Sequence, residues 1–243
     1  EVLGRYFYRK AWLYNTHQNL DSLDIIRKYL LESLAHFEKA EKFYRHNQTY
    51  MKLGMTLYHS NMIDSALYFL YKSLDERYMK ESSASHYGIY RNIYFFIGNI
   101  YYLKTEIDSA LKYSQLLVNL AEENNDPWPA AEHTMFMGDY YKDIGEHNRS
   151  LDYYMDAGNR FLQIEDYLYA AHCRKLAAEQ LSVSFGRQNE AIILYEEAIE
   201  LAQKGENKSF EADCLFLMGN SYERDGKFDH AIDFYRQSAL ISR

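Results

Sequence analysis

Only two of the 243 residues are proline, two are cysteine and eleven are glycine. So little proline and glycine leaves no place for a flexible linker, and no boundary between domains suggests itself. Two cysteines are too few for the disulfide framework of a small secreted fold. No apolar run approaches the roughly 18 residues that a membrane-spanning helix needs, and the amino terminus lacks a charged and apolar leader. Clustered lysine and arginine are missing too. The 27 basic residues stand against 35 acidic ones, a formal charge of −8, which argues against a nucleic-acid footprint. Nor is there a Gly-rich phosphate loop, a His-Glu-x-x-His helix, a nucleophile elbow or a calcium loop. No reaction and no cofactor are expected.

What the chain does contain is 47% hydrophobic and 26% charged residues, the balance of a folded, helical protein. A block recurs along it, a large apolar residue followed by glycine: Leu53-Gly54, Ile97-Gly98, Met137-Gly138 and Met218-Gly219. Twelve residues after each glycine stands a small residue, Ala66, Ala110, Ser150 and Ala231. Such a period marks a solenoid, because one unit cannot bury its apolar face and must stack on its neighbours.

Within a unit, Tyr90, Tyr94, Ile97 and Tyr101 follow at spacings of four, three and four, one face of a helix. A polar break over 104–106 precedes Ile107-Asp108-Ser109-Ala110-Leu111, which opens a second helix with Asp108 or Ser109 placed to cap it. Ile63-Asp64-Ser65-Ala66-Leu67 repeats that signal. Glycine inside a helix costs about 1 kcal/mol relative to alanine, so its recurrence predicts close contact with the paired helix at the crossing. One unit departs from the pattern: Ala178 replaces the glycine, and the turn Ser184-Phe185-Gly186-Arg187 holds one extra residue before Ala191. At the amino terminus, a first helix is expected from Arg5 to His17, with Ala11 near the small position and Leu20-Asp21-Ser22-Leu23 echoing the capped turn. The second helix is expected to run to about Tyr44 or to break once near Ser33.

These residues resemble the tetratricopeptide repeat family, whose first helix carries an aromatic, a large aliphatic, Gly and Tyr, and whose second carries Ala, an aromatic and Ala. Tyr94, Ile97, Gly98 and Tyr101 match the first half, as do Met137, Gly138 and Tyr141, and Leu215, Met218, Gly219 and Tyr222. The second half appears as Ala110, as Ser150 with Tyr154 and Ala157, as Ala191 with Tyr195 and Ala198, and as Ala231 with Tyr235. Equivalent positions are spaced by 44, 40, 40 and 41 residues, longer than the usual 34 or so. The extra six or so residues lengthen the helices by about 9 Å in total. Extended repeats of this length are similar to those of kinesin light chain and of bacterial peptide-sensing regulators. The resemblance implies an all-α, right-handed α-α superhelix of about six helix pairs. Residues 1–243 would form one solenoid, with an irregular first unit over 1–46.

By the same resemblance, the concave wall carries the residues three before, one after and four after each glycine. Those are Met51, Met55 and Tyr58; Phe95, Asn99 and Tyr102; Met135, Asp139 and Lys142; Lys175 and Glu179; and Phe216, Asn220 and Glu223, with Tyr8 and Trp12 in the first unit. Such a wall is aromatic and methionine-rich toward the amino terminus and charged toward the carboxyl terminus. It suits an extended or helical peptide, with Asn99 and Asn220 available to its main chain. A chaperone-type clamp for a terminal carboxylate is not expected, because Asp139 and Glu179 offset Lys142 and Lys175.

Cys173 and Cys214 each precede the small position by five residues, and His133 holds the same place before Gly138. Neighbouring repeats stand about 8–10 Å apart, too far for a shared metal or a disulfide, so buried thiols are expected. Both ends of the chain look cut, and Ala239, Leu240 and Ile241 would offer apolar surface. The expected role is therefore a non-catalytic protein- or peptide-binding scaffold, the sensor or interaction domain of a bacterial regulatory protein. Its partners would be protein or peptide, without nucleic acid or membrane through this stretch. A structural self-assembly module, with a homodimer through the terminal repeat, is the alternative, and an aspartyl-phosphate phosphatase-like regulator a distant third. The sequence leaves the compartment open between cytoplasmic and, if a signal or anchor lies outside the sequence, periplasmic.

Overall fold

The computed structural model describes residues 1–15, 23–39, 46–75 and 87–242, with backbone alone over 12–15. Twelve α-helices stand among them: α1 (Val2–Asn15), α2 (Leu23–Lys39), α3 (His46–His59), α4 (Ile63–Ser73), α5 (Tyr87–Leu103), α6 (Ile107–Glu123), α7 (Pro127–Asp143), α8 (His147–Gln163), α9 (Tyr167–Glu179), α10 (Gln188–Lys204), α11 (Lys208–Arg224) and α12 (Phe228–Ile241). No strand occurs among the described residues, and the fold is all-α and built of helix pairs. The chain divides into two compact units, Glu1–Leu120 and Ala121–Arg243. No helix of the described residues is long and apolar enough to cross a membrane.

The first unit holds α1 to α5 and most of α6 around a core that includes Leu30, Leu53, Leu57, Leu70, Ile93, Ile97 and Ile100. α1 opens at Val2, earlier than expected, and Gly4 lies so near the Phe37 ring that an added Cβ would sit 2.6 Å from it. Ala11 is buried as well. α2 runs through Ser33 without a break, because the Ser33 hydroxyl donates to the Gly4 carbonyl at 2.9 Å instead of interrupting its own helix. The expected extension to Tyr44, the turn over 20–22 and the end of α1 at His17 lie outside the described residues. The second unit packs Tyr154, Phe161, Ala170, Ala177, Ala191 and Tyr195 at its centre.

Inside each pair, the repeat glycine and the small residue twelve positions on meet at the crossing. A Cβ built on Gly54, Gly138 or Gly219 would lie 3.1–3.3 Å from the carbonyl oxygen of Ala66, Ser150 or Ala231. The residue sixteen positions on closes the space further: Leu70 Cγ at 2.7 Å, the Tyr154 ring at 2.7 Å and the Tyr235 ring at 2.6 Å. Gly98 departs from the expected contact. Its sixteenth residue is Ser114, and a Cβ there would meet nothing nearer than Tyr113 Cβ at 3.6 Å, an ordinary van der Waals distance.

The turns repeat one geometry. A single residue in the left-handed region ends the helix, at Asn61, Thr105, Asn125, Gly145, Glu165, Gly186, Glu206 and Gly226. In seven of these turns, all but that at Gly186, the following N–H reaches the carbonyl five residues back, as from Met62 to Leu57 at 2.8 Å or Glu146 to Tyr141 at 2.8 Å. That bond satisfies carbonyls which the helix end leaves open. α4 and α6 begin at Ile63 and Ile107, one residue before the aspartates expected to cap them. Asp64 and Asp108 therefore sit in the first turn, where a carboxylate favours the positive helix end. Side-chain caps occur at Asp166 and Asn207, which accept from Tyr169 N–H at 3.2 Å and Phe210 N–H at 2.9 Å. The extra residue read before Ala191 is absorbed by a π-helical turn, Gln180–Ser184, at the end of α9. Ser182 in that turn donates to Gln188 at 2.8 Å and accepts from Arg224 at 2.9 Å.

Candidate functional site

On α3, Met51, Met55 and Tyr58 follow at spacings of four and three and occupy one stripe; Lys52, Thr56 and His59 occupy the stripe beside it. Met51 and Met55 of the first stripe and all three residues of the second line a partly open cavity of about 290 Å³, which Ala11 of α1, Leu23, Ile26 and Leu30 of α2, and Asn92 of α5 complete. Met51 and Met55 are thus brought together, Met51 buried and Met55 half-buried. Tyr8 approaches through Lys52, whose ammonium stands 4.8 Å from the centre of the Tyr8 ring. Tyr58 meets Phe96 edge-on at 5.2 Å, and Phe95 meets Phe96 in the same way at 5.1 Å. Tyr58, Phe95, Asn99 and Tyr102 are all half-buried. The side chain of Trp12 lies outside the described residues.

Lys52 was not among the residues singled out from the sequence. A signal for it was present: the residue two before the repeat glycine is Phe96, Phe136 and Leu217 in other pairs, and Leu176 before Ala178. A lysine at a register that is otherwise large and apolar marks a position that does more than pack. Burial holds its ammonium below the ordinary lysine value, and among the described residues it has no carboxylate partner.

In the second unit the residues expected on the wall largely satisfy one another. Met135 is buried in the core. Lys142 pairs with Asp139 at 3.3 Å and Lys175 with Glu179 at 3.9 Å, the offset of charge anticipated for these positions. Asp139 also accepts from the Tyr154 hydroxyl at 2.7 Å. The Tyr235 hydroxyl lies 2.8 Å from Asn220 Oδ1 and 2.6 Å from Glu223 Oε2, so the Asn220 side-chain carbonyl already has a partner. Phe216 is 50% exposed. Tyr154 and Tyr235 each lie across a repeat glycine and bind the residue that follows it, Asp139 or Asn220, a tie that residue types alone do not reveal. Burial raises the Glu179 carboxyl against the pull of Lys175 and Lys142.

Cys173 and Cys214 are buried and free, and burial pushes each thiol up to about 12, far from the thiolate that reactivity requires. Among the described residues no three His, Cys, Asp or Glu side chains group to hold a metal ion.

The family model described as the tetratricopeptide repeat matches residues 184–241, which span the end of the π turn and α10 to α12. Comparison with curated protein sequences finds no match. Among solved structures, the chain is similar to a signal transduction ATPase with numerous domains that has a tetratricopeptide repeat sensor, from Pyrococcus horikoshii: TM-score 0.76, 16% identity, 95% of this chain and 35% of that one. The apo form of RapI superposes with TM-score 0.70 at 12% identity, over 99% of this chain and 97% of that one. BtubC (BKLC) from P. vanneervenii gives 0.68 at 14% identity, over 93% and 90%. Identities this low speak for the fold alone. By its repeat registers, its helix pairs and these likenesses, the chain has the all-α architecture of tetratricopeptide repeats and resembles that family.

Proposed function

We propose that the chain is a protein- or peptide-binding array that carries no reaction of its own. The observation that carries this reading is the face of the first unit where Met51 and Met55 line a partly open cavity, with half-buried Tyr58, Phe95 and Tyr102 on the same helices, α3 and α5. Methionine and aromatic side chains adapt to apolar anchors at low entropic cost. The wall residues of the second unit, already paired with one another, would give register and selectivity more than affinity. In this reading 1–243 work as one array, and the resemblance to a chain described as having a tetratricopeptide repeat sensor favours the sensing part of a regulatory protein.

Selection of peptides from a random library on the purified chain tests it. Phe95→Ala with Tyr102→Ala is expected to abolish capture while leaving the far-ultraviolet circular dichroism unchanged. Capture that persists in the folded double variant would contradict the placement of the wall.

A second reading, self-assembly, is favoured by α12, where Phe228 is 62%, Ile232 46% and Leu240 67% exposed. Sedimentation across a concentration series separates the two: dimers lost with Leu240→Glu support assembly, and a monomer that captures peptides supports recognition.

A further inference from the structure

The cavity of the first unit combines two features that one ligand class answers together. Its lining is mainly apolar, from Ala11, Ile26, Leu30 and the two methionines, and among the described residues that line it there is no carboxylate. Lys52 nevertheless lines it, half-buried, where other pairs carry Phe or Leu. Taking an ammonium out of water without an opposite charge is costly. The Tyr8 ring returns part of that cost as a cation–π contact, but a ring accepts no salt bridge. Asn92 and Thr56 add neutral polar groups at the same wall. The charge balance points the same way: residues 1–120 hold 15 basic and 12 acidic side chains, against 12 and 23 in residues 121–243. A volume of about 290 Å³ lies at the lower end of small-ligand sites and has room for about ten waters.

We infer that this cavity binds an aliphatic carboxylate, its short apolar chain against Met51, Met55, Ile26 and Leu30 and its carboxylate on Lys52. The assignment deepens the binding-array reading and rests on it. A peptide ending in a leucine-like residue and a free short-chain acid present the same chemistry, and the test separates them.

Binding of hexanoate, hexanamide, N-acetyl-leucyl-leucine and its carboxamide to the full chain would be followed by NMR titration of the methionine methyl groups. The expected result is that each acid binds at least about tenfold more tightly than its amide, as loss of a charge-assisted bond implies. Lys52→Met, which restores the apolar register, should remove that preference, and Lys52→Arg should keep it. The tighter of the two acids identifies the source. Acid and amide binding equally, acid preference retained in Lys52→Met, or no response from any of the four probes would overturn the assignment. If Lys52→Met shows no such change while peptide capture through Phe95 and Tyr102 continues, the cavity assignment fails and the wall stands. If capture is lost in the folded Phe95 and Tyr102 variants while the acids still select for Lys52, capture through those two residues is supported along with the cavity.

Discussion

Gly54 and Gly98 occupy one register and differ in what faces them, so their alanine variants should move stability in opposite directions. At Gly54 a Cβ would stand 2.7 Å from Leu70 Cγ, 2.9 Å from Leu70 Cδ2 and 3.1 Å from the Ala66 carbonyl oxygen. Leu70 is fully buried. Overpacking of this kind costs about 1–3 kcal/mol, and the helix regains about 1 kcal/mol when glycine becomes alanine. Gly54→Ala is therefore expected to lose about 1 kcal/mol net. At Gly98 the nearest atom would be 3.6 Å away, so only the helical gain operates and Gly98→Ala is expected to gain about 1 kcal/mol. Both sites belong to the first unit, which keeps the comparison within one compact unit. A chain of this length shifts by about 2–4 °C per kcal/mol, so thermal unfolding followed by circular dichroism should separate the two variants by roughly 4–8 °C. Equal shifts, or a Gly98→Ala variant less stable than Gly54→Ala, would refute the argument that the sixteenth residue decides whether the glycine is sterically required.

The turn at Thr105 places a β-branched residue at φ 59°, and Thr105→Gly should raise stability by about 1 kcal/mol, measured by urea unfolding. A loss of stability would mean that the threonine side chain holds the turn. Burial pushes the His133 ring down to about 4 from its ordinary 6.5. Between those values the unfolded chain binds the proton and the folded chain does not, so the contribution of His133 is complete above pH 6.5 and is lost as pH falls toward 4. At pH 5 the loss should be about 2 kcal/mol. The stability gap between wild type and His133→Leu should shrink or reverse by that amount from pH 7.5 to pH 5, and a gap independent of pH would show that the ring is not held neutral.

Much of the architecture is legible in the chain because helices are local. A 3.6-residue period, a glycine and a small residue twelve positions later are set by bonds along one segment and its immediate partner, and they mark the helix pairs at the registers where the structure has them. The surplus residue before Ala191 also had a local outcome, the π turn over Gln180–Ser184. What residue types could not decide is what lies across a crossing. Gly98 reads like Gly138, yet Ser114 leaves it room where the Tyr154 ring leaves none. Asp108 reads as a cap, yet the helix begins a residue before it, because the turn supplies its own backbone bonds. Lys52 breaks an apolar register in the sequence, but the cavity it lines exists only once α1, α2 and α5 come together with α3. Periodicity, a property of the chain, sets the elements and their pairing. The surroundings of each side chain depend on contacts between residues far apart in sequence, and tertiary structure alone brings those together.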